Sequence, residues 1–250
     1  MAVAPHALAA QSALAVLRER GNAIEAMVAA AATIAVVYPH LNSIGGDGFW
    51  LLHVPGRAPG AIDACGAAAR AAGIVWYRER GIADRIPFRG GVAAGTVAGT
   101  VSGWGAAHRL SRLLGGRLPF KRLLEDAIHY AERGVPVTRS QAIQTANKKA
   151  ELVGVEGFAS CFLIDGESPK PGAVFRQPAL AATLKRIASA GADDFYRGDL
   201  ARSLAKELER AGSPLTLADL QAHRAVLRDP LTLAHRAGSV HNMPPPTQGV

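Results

Sequence analysis

Apolar and polar positions change rhythm most sharply across residues 21–52. Residues 26–37 are almost continuously apolar, so a helix there must be buried on more than one face. Asn22, with Glu25 three positions on, predicts a capping box at its start, and Pro39 predicts its end. Asn42, Gly45, Gly46 and Gly48 then predict a turn that β-carbons would obstruct. Phe49, Trp50, Leu51 and Leu52 follow, bulky on both faces of a strand, as in a sheet covered on both sides. Ahead of this stretch, Leu8, Leu14 and Leu17 predict an amphipathic helix over 7–20, stopped by Gly21.

Further on, Pro55 to Gly60 predicts the turn of a hairpin joining a strand at 48–54 to one at 61–65. The glycine-rich tract 90–105 lacks the lysine of a phosphate-binding loop and leads into a helix reaching Leu114. A second helix is expected over 121–133, its apolar face carried by Leu123, Leu124, Ala127, Ile128 and Ala131. Thr138 predicts the cap of a helix running to Leu152. Phe162, Leu163 and Ile164 predict a short strand, and Asp165-Gly166 a turn. Helices are expected from Gln177 to Gly191 and from Asp199 to Ala211, and Thr216 with Asp219 predicts another capping box. Residues 224–233 and 239–243 read as strands. No repeat or low-complexity linker divides the 250 residues, which are expected to form a single region.

Composition narrows the classes. Apolar residues make up 49% and charged residues 19%, a globular balance rather than a disordered one. No run of eighteen apolar residues predicts a membrane span, and residues 1–11 show no secretory pattern, so a cytoplasmic location is the default expectation. The net charge is +8, yet no block of Lys and Arg and no interleaved aromatics accompany it. That points to a dispersed basic surface, or to a basic piece that pairs with a more acidic one, and away from nucleic acid. The eight histidines form no zinc-ligand spacing, so no metal and no cofactor are expected. His129, beside Glu125 and Asp126, reads as a helix-surface histidine. Cys65 and Cys161 are expected to be buried free thiols.

Several motifs together carry a family resemblance over essentially the whole chain. Gly21-Asn22-Ala23-Ile24-Glu25-Ala26 and Gly45-Gly46-Asp47-Gly48-Phe49 resemble the GGNAxDA and GGGGF elements of the γ-glutamyltransferase family. Ala98-Gly99-Thr100-Val101-Ser102-Gly103 resembles its Pro-Gly-x-Val-x-Gly segment, and Phe195-Tyr196-Arg197-Gly198 its FYxG element. The resemblance implies an α+β fold: part of the αββα sandwich of N-terminal-nucleophile hydrolases, with a helical lobe. It also implies a proenzyme that cleaves itself before a threonine. That threonine then attacks an amide, with its own α-amine as base. The partner implied is the small subunit released by cleavage, in a heterodimer or a dimer of heterodimers.

None of the threonines here matches the cleavage motif, so no catalytic residue is expected within these 250. The sequence closes on three prolines, Thr247, Gln248, Gly249 and Val250, a stretch expected to lead into further chain. Thr247 reads as a turn residue. The resemblance places one substrate-binding position, Cys65, where the family carries the arginine that grips a glutamyl α-carboxylate. A thiol cannot make that bidentate ion pair. Arg70, five residues on, is the nearest candidate to compensate. The variants at 42–48 and 62–66 resemble the oxamate amidohydrolase branch of purine breakdown, whose small amide substrate needs no glutamyl clamp. The alternatives are a glutathione hydrolase or γ-glutamyl transferase, and a catalytically silent binding piece without the nucleophile.

Overall fold

The computed structural model describes residues 1–247; the end of the expected terminal connector, Gln248 to Val250, lies outside them. The elements in order are α1 (Ala7–Arg18), α2 (Ala23–Val37), β1 (Gly48–Leu52), β2 (Gly60–Ala64), α3 (Ile74–Arg78), α4 (Thr100–Leu113), α5 (Phe120–Arg133), β3 (Val135–Pro136), α6 (Arg139–Leu152), α7 (Phe158–Phe162), β4 (Val174–Phe175), α8 (Pro178–Ala190), α9 (Asp194–Arg197), α10 (Asp199–Arg210), α11 (Leu217–Ala222), β5 (Val226–Arg228), β6 (Leu231–His235) and β7 (Gly238–Asn242). This is an α+β arrangement, as expected.

Helix α2 is its axis. It packs against α1, α4 and α5, and α5 against α8. Asn22 accepts the Glu25 amide hydrogen and Glu25 accepts that of Asn22, so both halves of the capping box form. Glu25 is fully buried, and its second oxygen accepts the Leu118 N–H at 2.9 Å. One carboxylate therefore joins the start of α2 to the α4–α5 connection. Alanines at 9, 13, 29 and 32 are buried, and the buried Thr33 hydroxyl donates to Ser12 Oγ at 3.0 Å, so α1 and α2 lie close.

The sheet that matters has the order β1-β2-β5, all antiparallel. Trp50 pairs with Ile62 and faces the helices; α4 lies directly on β1 and β2. Phe49 and Leu51 point the other way and are 40% and 46% exposed, and Val226, at 42%, lies on the same face across Asp63 from Phe49. The expectation of a strand covered on both faces is therefore corrected: within the described residues only one face is covered, and burial along β1 alternates. The β6–β7 hairpin repeats the pattern, with Leu233 paired to Val240 and both exposed.

Other expectations shift for local reasons. In α1 the buried face is Ala9, Ser12, Ala13 and Val16, whereas Leu14 points outward, because α2 approaches too closely for leucine. Arg20, not Gly21, takes the left-handed position after α1 (φ 65°), while the Gly21 amide returns to Val16 O. A β-carbon on Gly21 would sit 2.6 Å from Val16, so glycine is needed for space. Phe162 closes a short helix rather than opening a strand: Gly157 is left-handed, and Phe158 stacks on Phe162 at 5.6 Å. Ile164 pairs only with Glu167, across the expected Asp165-Gly166 turn. The strand expected over 224–233 is split into β5 and β6 at Asp229-Pro230, where proline has no N–H to offer a ladder. Cys161 is exposed on α7 rather than buried. Among the described residues no helix is long and apolar enough to cross a membrane.

Candidate functional site

The first turn of α4 organises the surface around Cys65. The Gly99 and Thr100 amides both donate to Gly46 O, at 2.8 and 2.9 Å. The Thr100 hydroxyl lies within reach of the carbonyls of Gly46 and Asp47, at 2.9 and 2.8 Å. The glycine turn is thus docked on the free amides that begin a helix. Ser102 Oγ accepts the Ala225 amide hydrogen at 2.7 Å, which fixes the entry to β5. The Ser102 amide in turn donates to the Tyr196 hydroxyl at 2.9 Å, and that hydroxyl donates to Ala98 O at 2.7 Å. Tyr196 is 1% exposed, so its FYRG motif is a structural strut beneath the site, and burial pushes its phenol up.

The glycines of 45–48 do not make the turn necessary in the way expected. Their β-carbons would meet nothing nearer than 3.5 Å, and none of them has positive φ. Close approach occurs instead at Gly66 and Gly99. A β-carbon at Gly66 would lie 1.5 Å from Val97 O, and one at Gly99 would lie 1.9 Å from Ala64 O. These two glycines let the tract 95–99 run against the end of β2, which sets where Cys65 sits.

Cys65 is half-buried just past β2, between two carboxylates. Asp63 Oδ1 accepts the Cys65 amide hydrogen at 2.9 Å. Asp47 accepts the Gly66 amide hydrogen at 2.8 Å through Oδ1, and the Cys65 thiol stands 3.6 Å from its Oδ2. Burial, then the Asp47 charge and its contact with the sulfur, then Asp63, push the thiol up, so it is a neutral S–H and no nucleophile. Arg228 Nε lies 3.8 Å from Asp63 Oδ2, and both side chains sit on the uncovered sheet face. A groove of about 790 Å³ opens beside Asp47, walled by Ile34, His40, Trp50 and Thr100. Behind the corner His223 is buried, with Nε2 unpartnered among the described residues and its ring 5.2 Å from that of Tyr196. Burial lowers its pKa, and the charges of Asp47 and Asp63 pull the other way.

Arg70 is exposed, and its amide N–H is held by Asp219 at 3.1 Å. His129 is exposed on α5. The Thr247 hydroxyl donates to Met243 O at 2.9 Å, in a turn. Sequence reasoning gave Asp47 and His223 no role. The one readable signal was a charged residue standing inside a run of glycines.

A family model described as gamma-glutamyltranspeptidase matches residues 9–250. The chain belongs to the γ-glutamyltranspeptidase family. It is 60% identical to the oxamate amidohydrolase proenzyme of Klebsiella pneumoniae over all of this chain and 47% of that protein. It is 37% identical to the glutathione hydrolase-like YwrD proenzyme of Bacillus subtilis, over all of this chain and 46% of that one. The chain thus spans about half the length of these curated relatives. Among solved structures, a gamma-glutamyltranspeptidase from Pseudomonas nitroreducens complexed with L-DON superposes with a TM-score of 0.89 at 37% identity, over all of this chain and 72% of that one. The Helicobacter pylori gamma-glutamyltranspeptidase gives 0.91 at 29% identity, over all of this chain and 71% of that one. The fold is that of the N-terminal-nucleophile hydrolases to which these neighbours belong, and relatives named proenzymes fit a precursor that is cleaved into subunits.

Proposed function

We propose that this chain is the front part of a self-cleaving amidohydrolase that converts oxamate and water into oxalate and ammonia. The observation that carries the reading is the 60% identity, along the whole chain, to an oxamate amidohydrolase proenzyme. Cys65 supports it. On this reading the position where γ-glutamyl enzymes carry a carboxylate-gripping arginine holds a neutral thiol between Asp47 and Asp63. A glutamyl α-carboxylate finds no fork there. The nucleophilic threonine, the oxyanion donors and the self-cleavage site belong to the second half. The remainder of the precursor completes the large subunit, of which this chain is the N-terminal part, supplies the small subunit of a heterodimer, and covers the sheet face bearing Phe49, Leu51 and Val226. Acyl transfer to the threonine releases ammonia, and water then releases oxalate. A cytoplasmic setting suits a small, fully charged substrate of this kind.

Glutathione hydrolysis is the second reading, favoured by relatives of that name at 32–34% identity. The experiment is to express the gene through its full reading frame, weigh the products intact, and assay oxamate beside γ-glutamyl-p-nitroanilide. Two pieces, the second beginning with threonine, and ammonia release from oxamate are expected. An uncut chain would leave only the silent binding piece, and turnover confined to the anilide would replace oxamate with a γ-glutamyl substrate.

A further inference from the structure

Asp47 is the one charged residue in its glycine turn, and its two oxygens do different things. Oδ1 is committed to the Gly66 amide at 2.8 Å; Oδ2 faces the Cys65 thiol at 3.6 Å. The backbone around it cannot yield. A β-carbon at Gly66 would collide with Val97 O, and the carbonyls of Gly46 and Asp47 are held by the first turn of α4. The carboxylate is exposed, and its hydrogen bond from the Gly66 amide holds it beside the Cys65 position. Asp63 adds a second negative charge from the other side, only partly offset by the exposed Arg228 at 3.8 Å. The corner carries two carboxylates against the one guanidinium of Arg228, and position 65 itself supplies no cation.

We infer that Asp47 is a specificity-determining residue: its carboxylate rejects long acyl groups that set a distal carboxylate at the Cys65 corner, as a glutamyl group does, whereas the carboxylate of oxamate is bonded directly to the reacting carbonyl and lies three carbons nearer the nucleophile; loss of the arginine is then only half of the change in substrate range. This rests on the reading that aligns Cys65 with the family's clamp for the glutamyl α-carboxylate. Two like charges at such a corner repel, and the repulsion grows as the second half covers the groove and lowers the local dielectric. It follows that an arginine introduced at position 65 alone does not restore binding of a carboxylate. The guanidinium pairs with Asp47 at its elbow and is spent there. Both residues have to change together. Asn is the informative replacement at position 47, because its amide oxygen keeps the Gly66 hydrogen bond while the charge is removed.

The test uses the complete, self-cleaved protein with the variants C65R, D47N, D47N/C65R and D47G/C65R, each checked for self-cleavage and for melting temperature. Binding of L-glutamate is measured by calorimetry, and kcat/KM on γ-glutamyl-p-nitroanilide alongside it. D47N/C65R is expected to bind glutamate, and to exceed C65R in kcat/KM by at least about tenfold, mostly through KM. C65R and D47N singly are expected to stay near the parent. If C65R binds glutamate as tightly as D47N/C65R, or if the parent already binds it, the charge of Asp47 has no such role. The proposal for oxamate is judged separately, by ammonia release from the parent, and its failure does not alter the glutamate-binding result. Should D47G/C65R fail to cleave itself while D47N/C65R succeeds, the Gly66 hydrogen bond is needed for assembly and the charge comparison still stands on the asparagine variant.

Discussion

The Glu25 carboxylate accepts the Leu118 amide hydrogen across 93 residues of sequence while its other oxygen closes the α2 capping box. Glu25 is fully buried, so removing it leaves two N–H groups without a partner. Glu25→Ala is expected to cost about 2–4 kcal/mol, and Glu25→Gln about half of that, since one amide oxygen remains. Urea titration of the complete protein, read at the midpoint, checks both values; a change under about 0.5 kcal/mol for the alanine variant would contradict the double role.

Tyr196→Phe removes the hydroxyl that bridges Ala98 O and the Ser102 N–H. The expected loss is about 1–3 kcal/mol of stability, because two half-buried backbone groups lose their partner. Ser102 also anchors Ala225 ahead of β5, so hydrogen exchange at residues 225–228 should quicken in this variant. Unchanged exchange there would show that the strut and the strand are independent.

Stability should fall with acid over two pH ranges. His223 titrates below its ordinary value of 6.5 because it is buried. Below that value the unfolded chain binds the proton more readily, so stability falls as pH drops from about 6.5. Asp194, which accepts hydrogen bonds from Arg186 Nε and Nη2 and from the amides of Asp199 and Leu200, titrates below 3.8, and its share is lost only as pH falls beneath that value. His223→Gln should reduce the upper part, which His6 and His40 share, and Asp194→Asn the lower part, which Asp219 shares; melting temperature against pH separates them.

Expressed without its second half, residues 1–250 should self-associate through Phe49, Leu51 and Val226. Sedimentation should show mass rising with concentration, and Phe49→Glu with Leu51→Glu should restore a monomer. In the full-length protein the same pair is expected to block self-cleavage.

Local chemistry is where sequence and structure agree. The capping boxes at Asn22 and Thr216, the Thr138 cap, the β1–β2 hairpin and the Asp165-Gly166 turn each depend on a few neighbouring residues. The misreadings concern what lies across from an element. Leu14 points outward because α2 comes close on small residues, and Phe49 and Leu51 are exposed because no second sheet lies on them here. The same holds at the site. The end of the second hairpin strand at Cys65 is legible in the sequence, but the grip of Asp47 on Gly66 joins positions 19 apart and depends on two glycines whose need for space appears only in three dimensions.

The open outer face of β1-β2-β5 also has a meaning in time. An N-terminal half leaves the ribosome first, and at roughly 5–20 residues per second a second half of similar length takes on the order of ten seconds or more to follow. Throughout that interval β1 and β5 offer unpaired edges, and Phe49, Leu51 and Val226 an uncovered greasy surface, to any neighbouring nascent chain. On the reading of this chain as the front part of a precursor, that interval is when the open sheet face is most prone to wrong pairing.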